Sequence, residues 1–72
     1  MRIAVAGANG RMGRMLVEAI LNHPDLSLAA ALCLPEATEE GKDAAEFLAQ
    51  QSGVLISSDL SALSDADCLI DF

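Results

Sequence analysis

The chain has 72 residues, 53% of them hydrophobic, with two Phe and neither Trp nor Tyr. A body of this size buries only about 60% of the surface its unfolded chain exposes, so this much apolar surface implies a partner or further chain. Eleven acids against four Lys+Arg leave a net charge of −7, which argues against nucleic acid, whose phosphates demand clustered cations.

In chain order, Arg2–Ala6 is a short apolar run ended by glycine, the pattern of a buried parallel strand. Residues 7–13 carry glycines at 7, 10 and 13, the spacing G-x-x-G-x-x-G. From 11 to 22 the period turns helical, with Met12, Met15, Leu16, Ala19 and Ile20 gathered on one face and Arg14 and Glu18 on the other. His23-Pro24 stops the helix, because the residue before proline is pushed out of the α region. A second apolar strand spans 26–34 up to Pro35, and the acidic, turn-rich segment 36–42 reads as a mobile loop. A short helix is expected over 43–51, closed by Ser52-Gly53, then a strand over 54–57. One helical turn over 59–64, capped by Ser58 or Asp59, leads to a fourth strand over 66–72. The order β-α-β-α-β-(α)-β predicts an α/β fold: the N-terminal half of a Rossmann-type, doubly wound parallel sheet, incomplete at 72 residues.

A strand running into a helix through such a loop presents unpaired amides and the positive end of the helix dipole, and so favours a phosphate. Gly7 suits the tight turn, Gly10 the close approach of backbone to a pyrophosphate, and Gly13 the close packing of helix on strand. Ala8 and Asn9 complete the loop, Asn9 tolerating left-handed angles. Arg11 sits at the helix start, where a guanidinium can clasp an anion bidentately. Arg2, Arg11 and Arg14 all precede the first acid, Glu18, which places positive charge around the loop. A ribose-binding acid is expected about twenty residues on, but that position is Cys33, with Leu34 next and Glu36 beyond Pro35. Cys33 then reads as a packed or adenosine-contacting thiol, and the choice between NAD and NADP stays open. Cys33 and Cys68 form no C-x-x-C pair, so no metal site is expected and reduced thiols in a cytoplasmic protein are the plain reading. His23 reads as a partner for the helix C-terminus, not a catalyst. No run is long enough to span a membrane.

VAGANGRMGRM after a starting strand, then LAAAL, KDAAEFL and DADCLIDF, is similar to the N-terminal segment of the dihydrodipicolinate reductases of lysine and diaminopimelate biosynthesis. The resemblance covers essentially the whole chain, with G-x-x-G-R-M-G its most specific element. It implies an NAD(P)H-dependent reduction of 4-hydroxy-tetrahydrodipicolinate to tetrahydrodipicolinate by a homotetrameric oxidoreductase. By position, Gly7, Ala8, Asn9, Gly10, Arg11, Met12 and Cys33 would contact the cofactor, Arg11 and Met12 on its pyrophosphate and adenosine side. Many members have an acid, often followed by Arg, where this chain has Cys33 and Leu34. The Asp71-Phe72 pair resembles the family's strand end. The family's catalytic histidine and lysine, and its substrate-binding and tetramerising part, lie further along a full-length chain. These 72 residues alone are therefore expected to be inactive, to bind nucleotide weakly and to self-associate through an open sheet edge. The other readings weighed are the start of an extended short-chain reductase or epimerase, and a nucleotide-binding module without chemistry.

Overall fold

A computed structural model describes residues 1–71. Strand β1 (Arg2–Ala6) leads through the glycine turn into helix α1 (Arg11–Leu21), and β2 (Ser27–Leu32), β3 (Ile56–Ser57) and β4 (Cys68–Asp71) follow. The four strands form one sheet in the order β3-β2-β1-β4, and every pairing is parallel. The chain thus builds outward from β1 on one side, then returns to add β4 on the other. That reversal is the switch point at which open α/β sheets place ligands, outside the carboxyl ends of the strands. The predicted fourth strand is seen over Cys68–Asp71, and Phe72 lies outside the described residues.

Alternation along β1 sorts its side chains into two faces, and a register irregularity opposite Ile3/Ala4 lets Leu28 and Ala31 of β2, three residues apart, share one of them. Ile3, Val5, Leu28, Ala31 and Ile56 join Val17 and Ile20 of α1 and Ala8 in one core, with Ile70 packed against it. Ala4, Ala30 and Leu32 are buried outside that cluster, and a 3-10 turn at Leu60–Asp65 packs against β2. Val5 and Val17 are the largest side chains fully removed from solvent. Small residues at the centre of that core, Val5, Ala8, Val17 and Ala31, let the helix approach the sheet closely, which the glycine turn requires.

The face of α1 matches the expected one only in part: Ile20 is in the core and Leu16 packs against it, but the stripe is rotated. Gly13, Val17 and Ile20 are the residues buried, while Met12 and Met15 are 48% and 58% exposed. Gly13 sets this rotation: a residue without a side chain marks the point of closest approach, and the helix buries the stripe continuing from it. The methionines fall on the flank. The helix ends on schedule at the C-cap Asn22, whose N–H donates to Glu18 O at 3.1 Å, followed by His23 N–H to Ile20 O at 3.2 Å. His23 serves the turn beyond: its Nδ1 accepts from the Asp25 amide at 3.1 Å, which places the imidazole at the end of α1 remote from the glycine turn.

No helix forms over 43–51; only a 3-10 turn at Glu46–Leu48 remains. The cause is Asp43. Its Oδ1 accepts from the amides of Ala45 and Ser52 and from the Ser52 hydroxyl, at 2.8, 2.9 and 2.8 Å, and its Oδ2 accepts from the Gly53 amide at 3.0 Å. A side chain that gathers nearby amides offers the backbone an alternative to the helical ladder. Ala49 then turns left-handed, at φ 57°, and ends the run.

The third strand is shorter than predicted for a related reason. Residues 41–44 run antiparallel beside 54–56, through Gly41 N–H to Ile56 O, Ile56 N–H to Lys42 O and Ala44 N–H to Val54 O, each 2.8 Å. Val54 and Leu55 therefore pair with this arm and leave only Ile56–Ser57 on β2. The arm covers what would be a bare outer edge of β3.

The second strand likewise stops at Leu32, because Gly7 carries the chain of β1 away and Pro35 has no amide to offer. The 36–42 segment, expected as a mobile loop, is folded into consecutive turns: Ala37 donates to Leu34 O, Glu40 to Ala37 O and Lys42 to Glu39 O. Glu40 further accepts from both the amide and the hydroxyl of Ser58. The expected turn before β4 is present, with Asp59 as its cap accepting from Ser61 N–H at 2.9 Å.

Candidate functional site

Gly7 takes φ 69°, the left-handed region open to glycine at no steric cost, and so reverses the chain out of β1. Two hydrogen bonds of 2.9 Å hold the turn: Gly10 N–H to Gly7 O, and Ala8 N–H to Leu32 O. The second pins the turn to the carboxyl end of β2 and buries Ala8, which is only 1% exposed.

Gly13 meets a stringent demand. A Cβ built there would stand 2.0 Å from Gly7 O and 2.7 Å from the Ala8 Cα. At Gly10 the same test finds only Gly7 O, at 3.4 Å, and the backbone is extended at φ −86°, ψ 173°. The fold therefore requires glycine at 13 and not at 10. A glycine that the fold does not need leaves open backbone on the outward side of the turn, as a cradle for a ligand requires.

Gly10 is the N-cap of α1 and has no side chain to satisfy the first turn; no acid lies in that turn. Among the described residues, the amides of Arg11, Met12 and Gly13 have no hydrogen-bond partner. Unpaired amides, the positive helix end and an exposed Arg11 together suit a phosphate or pyrophosphate. The residues present thus fit a nucleotide phosphate.

The arginines divide otherwise than the sequence implied. Arg2 stands at the opposite end of β1 from the turn, where its amide donates to Asp67 Oδ2 at 2.9 Å and its Nε to Asp65 O at 3.0 Å. It fastens the start of β1 to the approach of β4 and adds no charge to the loop. Arg14 lies over the Phe47 ring, 5.6 Å from its centroid. Arg11 alone of the three stays at the turn, joined by the half-exposed Met12.

Beside the turn opens a cleft of about 790 Å³, lined by Gly7, Asn9, Leu34, Pro35, Glu36 and Ala37, within the roughly 300–1,000 Å³ of small-ligand sites. It joins the glycine turn to the segment that follows β2. Cys33, just before that segment, is half-buried and packs against the core, with its amide donating to Ser57 O at 3.0 Å. Burial, then Glu40 and Glu39, push its thiol pKa up, which disfavours the reactive thiolate form.

Two acids stand here, of which sequence reasoning noted Glu36 only as lying beyond Pro35 and passed over Glu39. Glu36 reaches the cleft, and Glu39 accepts from Asn9 Nδ2 at 3.4 Å, across thirty residues of chain. Its own backbone N–H first, and the Asn9 amide second, hold the Glu39 carboxyl below the usual carboxylate range. No local pattern announces that contact; it follows from the turns that fold 34–42 back over the loop.

A parallel sheet ordered β3-β2-β1-β4, with a glycine turn at the carboxyl end of its first strand, defines the first half of a Rossmann-type nucleotide-binding domain. The chain belongs to the family described as dihydrodipicolinate reductase, N-terminus, which it matches over residues 1–72. Its curated relatives include proteins named 4-hydroxy-tetrahydrodipicolinate reductase from Cupriavidus metallidurans, 58% identical, and Herminiimonas arsenicoxydans, 59% identical. Another of that name, from Paraburkholderia phymatum, is 53% identical. Each alignment covers all of this chain but only 27–28% of the relative, so the chain spans little more than a quarter of their length. The short-chain reductase and non-catalytic alternatives find no support in these matches. Among the described residues, no helix is long and apolar enough to cross a membrane.

Proposed function

We propose that this chain is the cofactor-binding portion of an NAD(P)H-dependent reductase that converts 4-hydroxy-tetrahydrodipicolinate to tetrahydrodipicolinate in lysine and diaminopimelate biosynthesis. The observation that carries the reading is the contrast between Gly13, which the fold needs, and Gly10, which it does not. Family membership supplies the reaction class.

In this reading Gly7 and Ala8 shape the turn, and the amides of Arg11 and Met12 take the pyrophosphate. Arg11 adds a charge-assisted clasp. Asn9, Cys33 and the 34–37 segment line the adenosine side. When bound, the reduced nicotinamide supplies the hydride. No residue of this chain is assigned to proton transfer, since His23 is committed to the Asp25 turn at the far end of α1.

Gly10→Ala provides the test. Its Cβ would make an ordinary contact, and alanine is a poorer N-cap than glycine, so unfolding free energy should fall by no more than about 1 kcal/mol. Affinity for NADH and NADPH should fall about tenfold or more if backbone and pyrophosphate are in direct contact, since a lost hydrogen bond to a charged group costs roughly 1.5–3 kcal/mol. Titration calorimetry and urea denaturation read the two separately. Failure of the intact protein to bind either nucleotide at millimolar concentration would overturn the proposal.

A further inference from the structure

Resting on that nucleotide site, we propose that Glu36 holds the hydroxyls of the adenosine ribose and that the protein therefore selects NADH over NADPH. The acid that a dinucleotide fold uses for this purpose follows the second strand, and the residues immediately after β2 are Cys33 and Leu34, neither of which offers an oxygen from its side chain. The backbone supplies the remedy. Pro35 and the Ala37 N–H to Leu34 O bond of 3.1 Å fold 34–37 into a turn, and that turn sets Glu36 in the lining of the cleft with Gly7 and Asn9. Glu39 and Glu40 are already engaged, with Asn9 and Ser58 respectively, which leaves Glu36 as the acid of the cleft.

The same geometry disfavours a 2′-phosphate. Neither Lys nor Arg lines the cleft. Lys42 and Arg14 line a separate cavity of about 140 Å³ together with Phe47, and Arg2 is bound at the far end of β1. A phosphate there would face Glu36 with no cation on the cleft wall, whereas a ribose diol would donate to the carboxylate in a charge-assisted bond.

The experiment titrates the intact protein with NADH and with NADPH by calorimetry, for the parent, Glu36→Gln and Glu36→Lys. Glu36 is exposed, so both variants should fold as the parent does. NADH should bind about tenfold or more tightly than NADPH in the parent, the worth of a hydrogen bond to a charged group. Glu36→Gln should remove most of that ratio and Glu36→Lys should reverse it. Equal or tighter NADPH binding by the parent, or a ratio unmoved by Glu36→Gln, would overturn the assignment of Glu36 while leaving the nucleotide site standing. Binding of neither nucleotide would overturn the site and this inference together.

Discussion

Gly13→Ala should destabilise the protein by about 3 kcal/mol, the upper end of the usual cost of overpacking. The clash is with backbone, not with the end of a flexible side chain: the new Cβ would lie 2.0 Å from Gly7 O and 2.7 Å from both Gly7 C and Ala8 Cα. Relief requires α1 to lift away from the turn, and Val17 and Ile20 leave the core with it, because they share the buried stripe that begins at Gly13. Lifting α1 also draws its first amides from the phosphate position, so nucleotide affinity should fall together with stability. Urea denaturation of the two alanine variants gives the comparison: a large loss for position 13 and a small one for position 10. Equal tolerance at both positions would mean that the helix does not pack as described.

Asp43→Ala should rank next, at about 2 kcal/mol, the order expected when amides lose a charged acceptor. Four donors lose it at once: the amides of Ala45, Ser52 and Gly53 and the Ser52 hydroxyl. Ala45 is fully buried, so its amide has no ready access to replacement water. The arm 41–44 that covers β3 should loosen, and hydrogen exchange at Ile56 and Ala44, which bond across it, should quicken. The Ser52 amide first, then those of Ala45 and Gly53 and the Ser52 hydroxyl, outweigh burial and lower the Asp43 pKa from 3.8 to about 2. A depressed carboxylate stabilises the fold above its unfolded value and ceases to as pH falls through its folded one. Stability should thus be level above about pH 5 and decline between about pH 4 and pH 2. Glu39, Glu40 and Asp59, also shifted down, add slope of the same sign. In Asp43→Ala the decline should be shallower, as equilibrium unfolding across that range would read.

How far these features can be read in advance depends on how local their causes are. The glycine turn is legible because all its requirements act within a few residues: a left-handed angle at 7, a cap without a side chain at 10, an absent Cβ at 13. The parallel strands and the Asp59 cap are legible for the same reason. The buried face of α1 is legible only in part, Ile20 and Leu16 packing as expected, because hydrophobic periodicity weighs side chains, and here a glycine marks the contact while Met12 and Met15 stay outside. The lost helix at 43–51 shows the opposite failure. Alanine, leucine and glutamate favour a helix there, but Asp43 takes the amides of residues two, nine and ten positions ahead. Tertiary context overrides propensity. The motif pointed to the region of Glu36, but the contact of Glu39 with Asn9 depends on an encounter between the glycine loop and a segment thirty residues away, for which neither periodicity nor motif gives a sign. Arg2 shows that proximity in sequence is no substitute, since it opens the five-residue strand whose other end carries the loop it was expected to serve.

The central claim, that the turn between β1 and α1 holds the phosphates of a pyridine nucleotide, is tested most directly by amide chemical shifts. The intact protein, labelled with 15N at glycine, arginine and methionine, would be titrated with NADH. Gly7, Gly10, Arg11, Met12 and Gly13 should show saturable shifts, with Gly41 and Gly53, on the far arm of β3, unmoved. Silence in the turn at millimolar nucleotide, or shifts confined to Gly41 and Gly53, would contradict it.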